Sequence, residues 1–154
     1  MKFDIRNPLL FVLLGSTLVV GPSLAWAESA GTVKTIKGLA SIERNGQKFP
    51  ATVGTGIEAS DRVTTGPESA IGITLRDNTM LSAGPNSTLM LNRFAFNTTT
   101  HVGALDARVQ RGTLSVISGK IAKANPDAVV FSTPDITLGV RGTEFIIDAG
   151  QPEE

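Results

Sequence analysis

The chain has 154 residues, 14 basic and 14 acidic side chains, no cysteine, no tyrosine, one tryptophan and one histidine. That length suits a single domain able to bury about two thirds of its unfolded surface. The lack of cysteine excludes a disulfide framework, a thiol nucleophile, a thiolate zinc site and a lipobox-type lipid anchor.

The chain opens with Lys2 and Arg6, an apolar run from Leu9 to Val20, and Ala25-Trp26-Ala27 before Glu28. A charged start, a short apolar stretch and an A-x-A site form the pattern of a secretory signal peptide. The apolar run is too short for a bilayer core, which needs about 20 residues. Residues 1–27 are thus predicted to be a leader cleaved after Ala27, and residues 28–154 a single exported domain without a membrane span. With Lys2, Asp4 and Arg6 removed, twelve basic and thirteen acidic residues remain. The basic residues are scattered along the chain and never form a block. This argues against nucleic acid and an anionic membrane surface as partners. The expected mature chain also lacks tryptophan and tyrosine, the rings that grip sugars and single-stranded bases.

From Lys37-Gly38 onward, turn signals recur at short intervals: Asn45-Gly46, Gly54-Thr55-Gly56, Gly66-Pro67, Asp77-Asn78, Gly84-Pro85, Arg111-Gly112, Ser118-Gly119, Asn125-Pro126-Asp127 and Thr133-Pro134-Asp135. Such spacing predicts an all-β domain of many short strands. Ala40–Arg44, Asn45-Gly46 and Gln47–Phe49 read as a hairpin, because Asn-Gly supplies the two positive φ values of a type I′ turn. The period of two is clear in Ile71/Ile73/Leu75, in Leu105/Ala107/Val109 and in Ile136/Leu138/Val140, each predicting a strand with one buried face. Leu89 and Leu91 share one parity while Phe94 and Phe96 share the other, which predicts a bulge or corner near Asn92-Arg93. No long-period repeat is legible. Two arrangements satisfy these patterns: a short β-solenoid-like or rolled sheet, and as the alternative a two-sheet β-sandwich.

The candidate chemistry is thin. His101 lies in the polar stretch Thr98–His101 with no acid or nucleophile at a useful spacing, so it reads as a surface-loop histidine. No G-x-S-x-G, H-E-x-x-H or EF-hand pattern occurs. No catalytic, cofactor or metal residue is assigned. Gly54-Thr55-Gly56 reads as a turn rather than a phosphate loop. Asn86-Ser87-Thr88 and Asn97-Thr98-Thr99 match the glycosylation triplet, a pattern common by chance. Asp61, Asp77 and Asp135 each sit at a turn, where a carboxylate holds backbone N–H groups. Arg141 and Glu144 flank Gly142-Thr143 within an apolar segment. A locked ion pair is the favoured reading there, with a partner-facing rim as the other, since a buried charge demands a partner.

Gly139-Val140-Arg141-Gly142-Thr143-Glu144-Phe145 resembles the terminal signature of the FecR domain, the periplasmic module of iron-uptake signal transducers. Val53–Ile57, Asp61–Gly66, Ala70–Asn78, Leu81–Leu91 and Arg111–Leu114 resemble that family's earlier segments in the same order, so the likeness covers Gly31–Asp148. Two turns depart from its pattern: Ser60 stands where Gly often precedes the Asp, and Asp77-Asn78 where Asp-Gly is frequent. Family transducers also carry a cytoplasmic anti-sigma region, a membrane span and a secretin-like module, none of which is legible in this sequence.

The resemblance implies a stand-alone, non-catalytic protein-interaction module of the periplasm, or alternatively a secreted one, linked to envelope sensing. It needs no cofactor, and its partner is another envelope protein. Gly139, Arg141, Gly142, Thr143, Glu144 and Phe145 are its signature residues, structural or partner-facing, and the segment around Phe94–Val102 is a further candidate rim. A structural scaffold that packs against its own copies is the alternative function, and an envelope hydrolase a third.

Overall fold

Side chains that alternate between core and solvent build the strands here, and the frequent turns keep them short. The computed structural model describes residues 28–151; the expected leader and most of the polar tail lie outside the described residues. In chain order the strands are β1 (Gly31–Lys37), β2 (Ala40–Arg44), β3 (Gln47–Pro50), β4 (Gly56–Ile57), β5 (Arg62–Thr65), β6 (Ala70–Leu75), β7 (Met80–Ala83), β8 (Thr88–Phe96), β9 (Gly103–Arg111), β10 (Thr113–Ile117), β11 (Val129–Ser132), β12 (Thr137–Gly139) and β13 (Glu144–Asp148). A short helix, α1 (Lys120–Ala124), and a 3-10 turn at Pro126–Ala128 lie between β10 and β11.

The strands form two sheets, ordered β13-β10-β7-β6-β1-β4 and β12-β11-β9-β8-β5-β2-β3. Pairing is antiparallel except between β9 and β11. The expected all-β class is therefore the one found, in the two-sheet arrangement that was the alternative. Consecutive strands pass back and forth between the sheets, so one apolar cluster draws on both: Val33, Ile71, Leu81 and Leu114 from the first, Ile42, Val63, Leu105 and Phe131 from the second. Burying one such side chain is worth about 1.5–3 kcal/mol, and this cluster is the shared core of both sheets.

The local readings hold where the signal was local. Asn45 and Gly46 take φ values of 51° and 77° between β2 and β3. The β8–β9 register shifts between Leu91 and Arg93, so both Leu91 and Phe96 reach the core. Ser60 and Asn78, the two departures from the family's glycines, both sit at positive φ, 75° and 68°. Ile136/Leu138/Val140 is the exception. Only Thr137–Gly139 is strand, Ile136 is exposed, and Val140 is buried beyond the strand end. Helix α1 was not expected either; Lys-Ile-Ala-Lys-Ala is good helix composition, hidden behind the Ser118-Gly119 turn signal.

Two of the three turn carboxylates are buried and do what a turn Asp does. Asp61 accepts from Glu58 N–H at 2.8 Å, and Asp77 from Thr79 N–H at 3.0 Å. Both also reach far along the chain. Asp61 takes a bidentate fork from Arg44 (Nε 2.8 Å, NH2 2.7 Å), whose NH1 holds Glu58 at 2.6 Å. The hydrogen-bonded Asp61 carboxylate raises the Arg44 guanidinium above its ordinary pKa. Asp77 accepts from Thr79 Oγ1 and from Ile121 N–H in α1. At the third turn it is Thr133 Oγ1, not the Asp135 carboxylate, that accepts the backbone N–H groups.

The structure also gives a shared tertiary role to a tetrapeptide pattern, Gly-Pro-x-Ser, that occurs twice. Gly66-Pro67-Glu68-Ser69 and Gly84-Pro85-Asn86-Ser87 form equivalent turns. In each, the serine hydroxyl donates to the proline carbonyl and accepts an N–H from a distant chain, Leu39 or Thr113. Each turn also gives its first glycine's N–H to that same residue's carbonyl. The receiving chains present Gly38 and Gly112, both at positive φ and both so close to the serine that a Cβ would collide with it. The pattern is four residues long and its flanks differ, so it does not amount to a long-period repeat in the sequence.

Candidate functional site

β12 closes one side of the seven-stranded sheet and β13 closes one side of the six-stranded sheet. The segment that joins them is Val140–Thr143. Among the described residues no further strand pairs with either, so the signature marks the place where the chain steps from the bare edge of one sheet to the bare edge of the other. Val140 is buried and anchors this crossing. Ser118 N–H donates to the Thr143 carbonyl at 2.8 Å, and Ser118 Oγ donates to the Gly142 carbonyl at 2.9 Å. Phe145 packs edge-on against Phe131, ring centroids 5.4 Å apart.

The rest of the signature faces solvent. Arg141, Gly142, Thr143 and Glu144 are all exposed, and a Cβ on Gly139 would meet nothing within 4 Å. The favoured reading of Arg141 and Glu144 as a locked ion pair is corrected: no ion pair joins them. The segment is not a buried hairpin but an exposed crossing, so neither charge has to be neutralised internally. Replacing Arg141 by Ala is accordingly expected to leave stability within about 0.5 kcal/mol of wild type. A larger fall in the urea midpoint would return the residue to a structural role.

Across from the crossing stand α1 and the 3-10 turn. Together they enclose a cleft of about 510 Å³ lined by Ser118, Ala122, Lys123, Asp127 and residues 140–143. Lys123, Asp127 and Arg141 give it charges of both signs on an exposed rim. Sequence reading missed Ser118, Lys123 and Asp127, because nothing local links a turn serine and a short helix to a motif some twenty residues on. The edge strand adds apolar surface: Ile146 on β13 is 73% exposed, and Ile117 and Met80 face solvent beside it. The register sets Ile146 against Ser115, and Ile117 against both Met80 and Glu144.

The other candidate rim, Phe94–Val102, is a separate place. Asn97 Oδ1 accepts from Thr99 N–H and Thr100 N–H, and His101 stacks on Phe96 at 6.1 Å. His101 is exposed, as a surface-loop histidine should be. Among the described residues no group of three or more His, Asp or Glu side chains could hold a metal ion, and no helix is long and apolar enough to cross a membrane.

Comparison with known proteins places these elements in a family. The family model "FecR protein" matches residues 61–153, from the buried Asp61 through the exposed crossing and β13. No curated protein and no solved structure matches the chain. FecR domains occur in signalling proteins and make up a regulatory family rather than a family of enzymes. The match takes in more than half of the chain, including every signature residue from Gly139 to Phe145, and the protein belongs to the FecR family.

Proposed function

We propose that this chain is an exported FecR-type module of the periplasm that recognises another envelope protein by surface contact and carries out no bond-making chemistry. The leader-like residues 1–27 and the family's regulatory character support this reading. The observation that carries it is the bare edge of β13 with Ile146 beside it. An edge strand presents unpaired N–H and C=O groups, and natural proteins guard such edges with lysine, proline or a covering segment. β13 carries no lysine or proline, and its two charges, Glu144 and Asp148, stand at its ends and leave Phe145–Ile147 without one. A partner strand laid along it would complete the ladder, as in other β-augmentation complexes, with Ile146 supplying apolar contact and the exposed Arg141 and Glu144 setting orientation.

The test is a single charge. Ile146→Lys places on the edge the residue that discourages pairing. It is expected to weaken capture of the envelope partner at least about tenfold, as for the loss of a central apolar anchor, while leaving the unfolding midpoint unchanged because the side chain is exposed. Equal capture by the variant would remove the edge from the mechanism. A wild-type dimer that Ile146→Lys dissolves would reassign the edge to self-packing, the scaffold reading. Fractionation of the same cells checks the compartment: a soluble periplasmic chain starting at Glu28 is expected, and an intact leader in the inner membrane contradicts it.

A further inference from the structure

The outer face of the seven-stranded sheet collects cations that are far apart in sequence. Cross-strand register places Lys48 (β3), Glu43 (β2), Arg62 (β5), Met90 (β8) and Arg108 (β9) in one row. The next row runs Ser41, Thr64, Thr88, Arg111. These rows hold four cations against the single carboxylate of Glu43; the next carboxylate on this face, Asp106 of β9, lies two residues before Arg108 and accepts from Asn92 Nδ2 at 3.0 Å. The Arg62–Glu43 pair is long, 3.5 Å, and exposed, so it neutralises little. Among the described residues, Lys48 and Arg108 have no side-chain hydrogen bond or ion pair. Arg111 bonds only through Nε, to Thr88 Oγ1 at 3.2 Å.

The opposite sheet provides the contrast. Its two central outward rows, Thr32-Thr74-Met80-Ile117-Glu144 and Thr35-Gly72-Ser82-Ser115-Ile146, contain no cation, and the two exposed lysines of this sheet, Lys34 and Lys37 on β1, are matched in number by Glu144 and Asp148 on β13. In a chain of net charge zero, so uneven a division gives one face a positive potential that the bulk charge conceals. Two adjoining clefts of about 440 and 420 Å³ run along this face, and Lys48, Thr64 and Arg111 line both. Hydroxyl and amide groups of Ser41, Thr64, Gln110 and Asn86 lie between the charges.

We propose that this face docks an extended acidic polypeptide segment of a partner. Neighbouring strands are about 4.8 Å apart, so Lys48, Arg62 and Arg108, on every second strand, stand about 10 Å apart. A chain in the extended polyproline II conformation has three residues per turn and advances about 3.1 Å per residue, so carboxylates three residues apart fall on one side of it at about that interval. The rows carry no aromatic ring on which a base or sugar could stack, which favours a peptide over single-stranded nucleic acid or glycan. The site lies in the sheet opposite to β13 and does not depend on the edge-pairing mechanism.

The probe is a fluorescein-labelled, amidated peptide with Glu at every third position and Gly between, titrated by anisotropy against the exported domain. Binding that weakens as salt rises is expected. Lys48→Gln with Arg108→Gln should weaken it about tenfold, while Lys34→Gln on the opposite sheet should leave it unchanged. All three side chains are exposed, so the unfolding midpoints should agree and confirm that the variants fold. Equal binding by wild type and the double variant overturns the proposal. So does a Gln-for-Glu peptide that binds as well as the acidic one. Anionic phospholipid vesicles or an oligonucleotide binding more tightly than the peptide, with the same dependence on Lys48 and Arg108, would also overturn it by assigning the face to phosphate. Loss of Ile146-dependent capture leaves this result untouched, so the two readings fail separately.

Discussion

Replacing Arg44 by Met is expected to cost about 3 kcal/mol of folding stability, the low end of the range for breaking a buried ion pair. The reason is the partner left behind. Asp61 is 0% exposed and takes two of its hydrogen bonds from the Arg44 fork. Without Arg44 that carboxylate keeps the Glu58 N–H but loses the one ion-pair partner it has among the described residues, with the Glu58 carboxylate held by the same guanidinium. The Arg44 side chain is 26% exposed, and solvent screening holds the loss to the low end of the range. Arg44 also bonds the Gly56 carbonyl and lies over the Phe49 ring at 5.6 Å, so one side chain ties β2, β3, β4 and the turn before β5. Arg44→Lys keeps the charge without the bidentate fork and should lose roughly half as much. Urea unfolding checks both: the midpoint should fall with an unchanged slope, since the surface exposed on unfolding is the same. A loss below about 1 kcal/mol would show that the pair is replaceable by water.

Asp77→Ala is the second large effect, again about 3 kcal/mol. It leaves Thr79 N–H, the Thr79 hydroxyl proton and Ile121 N–H without their acceptor, although Thr79 Oγ1 still accepts from Gly119 N–H; each buried donor costs about 1–3 kcal/mol when unsatisfied. Asp77→Asn retains an acceptor oxygen and should lose about 1 kcal/mol. The effect also has a direction in space. Asp77 caps α1 from another part of the chain, because Gly119, the residue before the helix, has no side chain to do so. Hydrogen exchange should therefore show α1 amides losing protection before the sheet cores do. Since α1 walls the cleft beside the signature crossing, partner capture should weaken in Asp77→Ala before the domain as a whole unfolds. Uniform loss of protection across both sheets would refute that coupling.

Legibility followed the range of the interaction. The Asn45-Gly46 hairpin and the Leu91/Arg93 shift were readable because a turn type and a parity change are local facts. That Asp61 and Asp77 hold turns was readable for the same reason. Their distant partners were not: Arg44 is 17 residues from Asp61, and Ile121 is 44 from Asp77. At Ser69 and Ser87 the Gly-Pro turns were readable, but their shared role was not, because the N–H groups they accept come from Leu39 and Thr113, 30 and 26 residues away. Arg141 and Glu144 misled in the opposite direction. Their close spacing suggested a pair, but the chain changes sheets between them, and both end in solvent.

By itself the sequence determined that the chain is all-β, where it turns, which faces of β6 and β9 are buried, and the family to which it belongs. A two-residue period and a turn's φ values depend only on neighbours along the chain. The tertiary structure alone decided which strands became edges, and so left β13 bare. It also brought Lys48, Arg62, Arg108 and Arg111 onto one face, although the basic residues are dispersed along the chain. Strand order comes from pairing between distant segments, and alternation says which way a side chain points without saying what will lie beside it.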